Sequence, residues 1–179
     1  MTRTKKELRA VMAAKKKAYA EDIKRLKSKQ ISEKLLYTDE YRQAENILCY
    51  WSMSDEVSTH EFVIEAARNK RVFLPVVSGN ILLIREFTGV ENLVEGTSFS
   101  IPEPDFDTEE IEIRDIDLVI VPGVAFDLGG GRLGRGKGFY DKLLAGADVY
   151  KIGICFDFQL VDEIPRDEHD VLMDKLFFG

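Results

Sequence analysis

The chain has 179 residues, 45% of them hydrophobic and 32% charged, which is typical of a single soluble globular domain spanning residues 1–179 rather than of a disordered chain. No stretch approaches the roughly 18 to 20 uninterrupted apolar residues of a membrane span, and the charged start does not resemble a signal peptide, so we expect a cytoplasmic protein without membrane contact. The net charge of -7 is unevenly distributed, because residues 1–29 carry eleven basic and three acidic side chains, against 14 basic and 29 acidic in the remainder.

The opening third predicts two helices, at about residues 3–29 and 31–43, because it is rich in Lys, Glu, Ala and Leu and free of Gly and Pro. Apolar residues recur at helical spacing in the first of them, so we expect it to pack against a sheet with most of its lysines in solvent. A basic segment can also bind nucleic acid, but the apolar stripe favours a packed helix, and we predict no nucleic-acid partner.

Short apolar runs after Glu45 predict strands, and a mixed sheet with helices on both faces follows from their alternation with helical segments. The run at 118–122 is apolar at successive positions, as in the buried middle of a sheet, whose carboxyl edge usually binds ligands in open α/β folds. The predicted strands are Ile47–Trp51, Val72–Val77, Ile81–Phe87, Leu118–Pro122 and Tyr150–Phe156.

Three connections between these strands have recognisable patterns. The spacing of Ser58 and Glu61 matches a capping box and predicts a helix of about ten residues, in which Glu61 is a cap and not a catalytic residue. The turn at 78–80, Ser-Gly-Asn, predicts a hairpin. Residues 96–117 contain two prolines and many acids with weak periodicity, which predicts a long surface connection.

Residue types that often bind metals or act as bases have ordinary surroundings in this sequence. Cys49 and Cys155 each lie in an apolar run, so we expect buried, reduced thiols rather than a disulfide or a zinc site. His60 lies in the predicted capping turn and His169 in an acidic tail. Both are expected at the surface and not as catalytic bases.

A glycine-rich basic loop follows the strand at 118–122. Six of the thirteen residues from Gly129 to Asp141 are glycine, which permits positive φ or close approach of the backbone to a ligand. Three cations, Arg132, Arg135 and Lys137, alternate with these glycines, and a helical pattern begins at Tyr140. Exposed amides, cations and a helix start predict phosphate binding; the alternative is a glycine-rich turn with incidental charges.

The loop differs from an ordinary P-loop. Residues 131–137 match GxxxxGK, but Gly138 stands where a Ser or Thr hydroxyl should reach magnesium, so a P-loop NTPase is disfavoured. Asp141, at the end of the loop, is the nearest hard oxygen ligand for the metal of a bound nucleotide.

The run from Arg132 to Asp141, RLGRGKGFYD, resembles the signature of the 5-formyltetrahydrofolate cyclo-ligases, also called methenyltetrahydrofolate synthetases. The preceding residues 121–127 resemble the strand and turn that lead into it. The likeness continues in the same order along nearly the whole chain, through Lys5, Arg9, residues 51–56, Pro75 and Asp170. It implies a three-layer α/β/α fold with a mixed, mostly parallel sheet, related to the sugar-phosphate isomerases.

The resemblance also implies residue roles. Arg135 and Lys137 would be catalytic, and Asp141 and Asp170 would bind magnesium. Lys5 and Arg9, four residues apart, would contact ATP from one helical face. The ATP-binding residues would be Lys5, Arg9, Arg132, Leu133, Gly134, Arg135, Gly136, Lys137, Gly138, Phe139 and Tyr140. The folate-binding residues would be Trp51, Glu56, Arg135, Gly136, Lys137, Gly138 and Phe139.

Two positions depart from the family pattern. Position 51 is more often aliphatic, and position 139 is commonly Tyr, so Phe139 keeps the ring but lacks a hydroxyl. From their chemistry, an indole offers a flat surface to a pterin and a carboxylate suits its paired N–H groups. Trp51 also has the alternative of a core residue, and Glu56 that of an ordinary charge at a strand end.

The function implied by the resemblance is ATP-dependent cyclisation of 5-formyltetrahydrofolate to 5,10-methenyltetrahydrofolate, with Mg²⁺ as cofactor and a phosphorylated formyl group as intermediate. We expect a monomer whose partners are the small molecules ATP and 5-formyltetrahydrofolate. Two alternatives remain: another ATP-dependent small-molecule kinase or ligase on the same fold, and a noncatalytic module that binds nucleic acid through the basic first segment.

Overall fold

A seven-stranded sheet forms the centre of the computed structural model, which describes residues 3–96 and 100–179. The helices are Lys5–Ala18 (α1), Glu21–Leu36 (α2), Asp39–Gln43 (α3), His60–Ala66 (α4) and Phe139–Leu144 (α5). The strands are Asn46–Leu48 (β1), Arg71–Ser78 (β2), Ile81–Glu86 (β3), Leu93–Glu95 (β4), Pro102–Pro104 (β5), Glu110–Ile111 (β6), Leu118–Val121 (β7), Ala125–Phe126 (β8), Arg132–Leu133 (β9), Tyr150–Cys155 (β10) and Lys175–Phe178 (β11).

The sheet is mixed and mostly parallel, in the strand order β11-β10-β7-β1-β2-β3-β6. Strands β11 to β2 of this order run parallel, and β3 pairs antiparallel with both of its neighbours. Ile47 of β1 lies opposite Val72 on one side and Leu118 on the other. All four residues of β7 are buried, so the prediction of a central strand there is confirmed.

Helices cover both faces of the sheet, which confirms the three-layer arrangement. The apolar sides of α2 and α4 pack on one face, where Ile31 and Phe62 meet the strand residues. On the other face, α5 contributes Leu144 to a second cluster. Helix α1 packs through Leu8 and Met12 against β8 and β9. The relation to sugar-phosphate isomerases stays a prediction.

The first helical segment ends earlier than predicted, so the boundaries 3–29 and 31–43 were wrong. A capping box formed by Thr4 and Glu7 starts α1, and the chain is extended at Tyr19 before α2 begins. The Tyr19 ring lies 4.6 Å from that of Phe158, and its hydroxyl donates to Asp157 at 3.0 Å. These partners are far away in sequence, so no local pattern marks the break.

Helix α4 begins at His60 and is shorter than the ten residues predicted. The capping box predicted from Ser58 and Glu61 is not formed, because the N-cap is Thr59 and no side chain caps it. The Thr59 hydroxyl donates instead to the carbonyl of Tyr50, and the Ser58 amide donates to Ser28 Oγ at 2.9 Å. Glu61 is exposed in the first turn of the helix.

The hairpin at residues 78–80 is confirmed, since Ser78 pairs with Ile81 and Gly79 has a φ of 59°. The connection predicted at 96–117 lies mostly at the surface in its described part, but the prediction missed two short strands there, since β5 pairs with β4 and β6 pairs with β3. Residues 97–99 lie outside the described residues. Strand β11 at the sheet edge was not predicted at all.

Cys49 and Cys155 are buried, free thiols, as predicted. Burial raises the pKa of each thiol to about 12. Within the described ranges, no helix has the length and apolarity needed to cross a bilayer.

Candidate active site

A cavity of about 350 Å³ opens where the central parallel strands end. Residues just after β1, including Trp51, and just after β7, including Pro122, line it. This is the carboxyl edge of the sheet, where open α/β folds place ligands. The glycine-rich loop and the first turns of α1 form a second side of the cavity.

A buried carboxylate fixes the stem of the glycine-rich loop. Asp127 is 2% exposed and accepts hydrogen bonds from the amides of Gly131 at 2.9 Å and Ile164 at 2.8 Å. Arg166 donates to the same carboxylate at 3.1 Å. Burial alone raises the pKa of Asp127, but these amides and the guanidinium outweigh it and hold the pKa below its usual value. The carboxylate therefore stays ionised and holds the loop to the chain at 164–166.

The tip of the loop requires glycine at two positions. Gly136 has a φ of 101° and Gly138 a φ of 67°, a region that L-residues with a side chain rarely adopt. Gly138 is the N-cap of α5, so the predicted helix after the loop is confirmed, with Phe139 as its first residue. Both glycines line the cavity, where their backbone is accessible to a ligand.

The three loop cations have different surroundings. Arg132 is buried and donates to Asp141 at 3.0 Å and to the Pro122 carbonyl at 3.2 Å. Arg135 is 36% exposed in its side chain and donates to Asp55 at 2.7 Å and Glu56 at 3.0 Å. Lys137 is exposed, and no hydrogen bond or ion pair engages it in the described part of the chain. Its ammonium is therefore available to an anion without breaking another contact.

Helix α1 contributes two more cations. Lys5 Nζ lies 2.5 Å from Asp170 Oδ2 and 2.6 Å from Asp167 Oδ2, and Arg9 Nε donates to the Gly134 carbonyl at 2.9 Å. Burial lowers the pKa of Lys5, but the two carboxylates outweigh it and raise the pKa above its usual value. The N-terminal helix is thus attached to the loop by Arg9 and to the C-terminal segment by Lys5.

The two predicted metal ligands, Asp141 and Asp170, both line the cavity and lie close together. Asp141 Oδ1 accepts from the amide of Val171, the residue after Asp170, at 3.4 Å. No cluster of three potential ligand side chains occurs within residues 3–96 and 100–179. Magnesium is usually bound by one or two carboxylates together with waters and substrate phosphates, so a pair of carboxylates beside the cationic glycine-rich loop fits this ion.

Trp51 belongs to an aromatic stack at the cavity wall. Its ring lies 4.1 Å from His60 at an interplanar angle of 14°, and 5.8 Å from Phe87. His60 Nε2 is 3.0 Å from the carbonyl oxygen of Ser52. His60 is thus half-buried behind the tryptophan, and the prediction of a surface histidine was wrong, whereas His169 is exposed as predicted. Trp51 faces both the core and the cavity.

Apolar side chains form the wall of the cavity away from the loop, together with one buried acid. Pro75 and Val77 of β2 are part of this wall. The acid is Glu103 of β5, which is 6% exposed and whose Oε1 accepts a hydrogen bond from the Val77 amide at 3.2 Å. Sequence reasoning missed Glu103, because it lies between two prolines in a segment without periodicity. Lys16 and Asp55, which support Arg135, were also missed.

Two buried polar atoms at the cavity have no hydrogen-bond partner among the described residues, Arg132 Nε and the Tyr140 hydroxyl. Such atoms are costly to bury unless something pairs with them. Every residue predicted for the site lines this one cavity. Their individual roles stay predictions.

Comparisons with known proteins agree with these features. A model of the 5-formyltetrahydrofolate cyclo-ligase family matches residues 1–179. The chain is 29% identical over 188 residues to 5-formyltetrahydrofolate cyclo-ligase of Mus musculus, which covers 97% of this chain and 93% of that protein. It is 34% identical over 137 residues to the Escherichia coli K12 protein of the same name, which covers 72% of this chain and 74% of that protein.

The chain is also similar to solved structures of methenyltetrahydrofolate synthetases. The 5,10-methenyltetrahydrofolate synthetase of Aquifex aeolicus superimposes with a TM-score of 0.88 at 33% identity, covering 97% of this chain and 89% of that one. The 5,10-methenyltetrahydrofolate synthetase of Mycoplasma pneumoniae superimposes with a TM-score of 0.76 at 25% identity, covering 96% of each chain.

Proposed function

This chain belongs to the 5-formyltetrahydrofolate cyclo-ligase family, and from that premise we propose that it cyclises 5-formyltetrahydrofolate to 5,10-methenyltetrahydrofolate while converting ATP to ADP and phosphate. The observation that carries this proposal is a single cavity bordered by a cationic glycine-rich loop on one side and by an aromatic and apolar wall on the other. A nucleotide triphosphate needs the cationic surface and a pterin needs the aromatic surface, and the reaction requires the two ligands to bind side by side.

The nucleotide half of the proposal rests on the loop and on α1. Lys137 has no partner among residues 3–96 and 100–179, while Lys5 and Arg132 each hold a carboxylate that a bound cation would neutralise instead. Arg9 adds a charge beside the backbone of Gly134. These groups would bind and orient the triphosphate through charge-assisted hydrogen bonds.

The folate half rests on the opposite wall. Trp51, held flat by its stack on His60, offers a planar surface for a pterin ring. Glu56 is 12% exposed in its side chain and accepts from Arg135 and from the Met53 amide, so its carboxylate is already oriented. It would accept hydrogen bonds from the paired N–H groups of the pterin.

Asp141 and Asp170 would hold a magnesium ion beside the phosphates, since their carboxylates are the hard oxygen ligands that this ion prefers. When bound, the ion would supply charge neutralisation for the transferred phosphoryl group. Arg132 and Lys5, which pair with these carboxylates in the structure, would then be released toward the nucleotide.

The reaction needs no nucleophilic side chain. The formyl oxygen would attack the γ-phosphorus of ATP, and the bond to the β,γ-bridging oxygen would break with release of ADP. The folate N10 would then attack the formyl carbon, lose its proton to solvent and expel phosphate, which leaves the methenyl bridge. Arg135 and Lys137 would stabilise the transferring phosphoryl group, so that catalysis consists of positioning and charge stabilisation.

Purified protein incubated with 5-formyltetrahydrofolate, ATP and magnesium tests the proposal, with each component omitted in turn. We expect the near-ultraviolet absorbance of the methenyl product to appear only in the complete mixture, with one ADP released per product. ADP release without the methenyl product would instead indicate a kinase acting on another acceptor. No nucleotide turnover and no product would reject the proposal.

A further inference from the structure

Four charged side chains connect α1 to the glycine-rich loop, and we call them the Asp55 network: Lys16, Asp55, Arg135 and Glu56. Lys16 Nζ lies 2.9 Å from Asp55 Oδ2, Asp55 Oδ1 lies 2.7 Å from Arg135 Nη2, and Glu56 Oε1 lies 3.0 Å from the same Nη2. Arg135 and Glu56 line the cavity, whereas Lys16 and Asp55 stand behind them.

Lys16 fixes the position of Asp55. It is 8% exposed, and its ammonium has Asp55 as its only ion-pair partner in the described part of the chain. An unpaired charge on a buried lysine is costly, so Lys16 and Asp55 are expected to stay paired. Burial raises the pKa of Asp55, but hydrogen bonds from Lys16 and Arg135 outweigh it and keep the pKa below its usual value. Asp55 is therefore an ionised anchor at a fixed place.

Arg135 uses a single nitrogen to bind both carboxylates. Nη2 donates to both Asp55 and Glu56, whereas Nη1 and Nε have no partner among the described residues. The guanidinium is half-exposed at the cavity, with its remaining N–H groups available to a ligand. Two acceptors on one nitrogen also mean that Arg135 stays attached if one of them is withdrawn.

We propose that Asp55 is a positioning residue that keeps Arg135 in place when Glu56 transfers its hydrogen bonds to the substrate. The inference rests on the proposed function, in which the N–H groups of the pterin compete with Arg135 for the Glu56 carboxylate. Without Asp55, Arg135 would either follow Glu56 and block the pterin, or leave it and swing into solvent. With Asp55 clamped by Lys16, the guanidinium stays directed at the phosphoryl group.

This arrangement makes Asp55 act only through Arg135, and a double-mutant cycle tests that property. We expect Asp55→Asn to lower kcat/KM for 5-formyltetrahydrofolate at least tenfold, as for the loss of a charge-assisted hydrogen bond. In an Arg135→Ala background, we expect the same substitution to change kcat/KM and the calorimetric Kd for the folate less than twofold. A merely structural contribution of Asp55 would persist in that background.

Two further variants control the cycle. Glu65→Gln removes the carboxylate of the exposed Arg68–Glu65 pair on α4, outside the cavity, and should leave kcat/KM unchanged. Should Asp55→Asn fail to fold, Lys16→Met carries the test, because it frees Asp55 from its clamp; its effect must also vanish in the Arg135→Ala background.

The outcomes separate the inference from the proposed function. Wild-type protein that forms no methenyl product rejects the proposed function and, with it, this inference. Active wild-type protein in which Asp55→Asn behaves as wild type, or in which the two substitutions act additively, overturns the positioning role of Asp55 alone.

Discussion

The carboxylate of Asp127 accepts a hydrogen bond from the amide of Gly131, four residues later, at 2.9 Å. The contact is so close that a Cβ at position 131 would lie 2.3 Å from Asp127 Oδ2, a distance real Cβ atoms do not adopt. Glycine at 131 is thus required by the buried acid, and the acid in turn satisfies the amides of the loop stem. The glycine-rich loop depends on a carboxylate that does not line the cavity.

Asp127→Asn should destabilise the fold by about 1–3 kcal/mol at neutral pH, because an amide nitrogen replaces one oxygen acceptor and leaves a buried N–H unpaired. The folded pKa of Asp127 is depressed, so its contribution is complete above the unfolded pKa of about 3.9 and is lost as pH falls through the lower folded value. The stability gap between wild type and variant should therefore narrow below about pH 4.

Urea unfolding at pH 7 and near pH 3 measures both effects. Asp162→Asn is the matched control, because its carboxylate is exposed and has no partner among the described residues. Equal unfolding midpoints for wild type and Asp127→Asn at pH 7 would show that the carboxylate does not hold the loop stem.

Lys137→Ala should lower kcat by at least about 100-fold, because in the proposed mechanism this cation stabilises the transferring phosphoryl group. The free energy of unfolding should not change, because the side chain is exposed and does not pack in the core. Lys29→Ala removes the same charge from an exposed position of α2 and should retain wild-type turnover. The measurement is the initial rate of methenyl formation at saturating substrates. Undiminished turnover in Lys137→Ala would remove it from the catalytic set.

Asp141→Asn should raise the magnesium concentration needed for half-maximal activity about tenfold or more, because an amide oxygen is a weaker ligand than a carboxylate. Calorimetry of ATP binding at several magnesium concentrations gives a second readout that does not depend on turnover. Asp148→Asn, an exposed carboxylate beyond α5, should titrate as wild type. If the magnesium dependence of both readouts stays the same in Asp141→Asn, this residue is not a ligand.

Tyr140→Phe should lower kcat/KM about tenfold without loss of stability. Its hydroxyl is buried at the cavity with no partner in the described chain, and burial raises its pKa, so it remains a protonated donor that a substrate oxygen can accept from. Removing an unsatisfied hydroxyl costs the free protein nothing. Tyr37→Phe, at a 74% exposed position, is the control for both thermal unfolding and rate. A Tyr140→Phe protein with wild-type kinetics but lower stability would contradict this role.

Much of the sheet could be predicted from local pattern. The strand runs at 72–77, 81–87, 118–122 and 150–156 correspond closely to β2, β3, β7 and β10. A strand with successive apolar residues fits where both faces of the sheet are covered, which is why β7 was the clearest prediction. The edge strand β11 has only three apolar residues in succession, and the small pair β4–β5 has no such run. Pairing at a sheet edge depends on neighbours brought there by the rest of the fold.

Placement of the site was also within reach of the sequence. The density of glycines and cations at 129–141 predicts a ligand loop after a central strand, and this loop lines the cavity. The sequence did not indicate which cations were already engaged. Arg132 is held by Asp141 at the end of the same loop, and Lys5 is held by Asp170 of the C-terminal segment. Lys137 has no protein partner in the described chain. Spacing alone treats all three alike.

The sequence by itself determined which segments are apolar enough to form buried strands and which glycine positions permit positive φ. It also determined the family to which the chain belongs. Only the tertiary structure decided where α1 ends, that His60 supports Trp51, and that Asp55 and Lys16 hold Arg135. Local patterns are informative because the free energy of burying a side chain depends mainly on the residue type, which the sequence states directly. Ion pairs and ring stacks join residues from distant segments, and their energy exists only once the chain has brought them together.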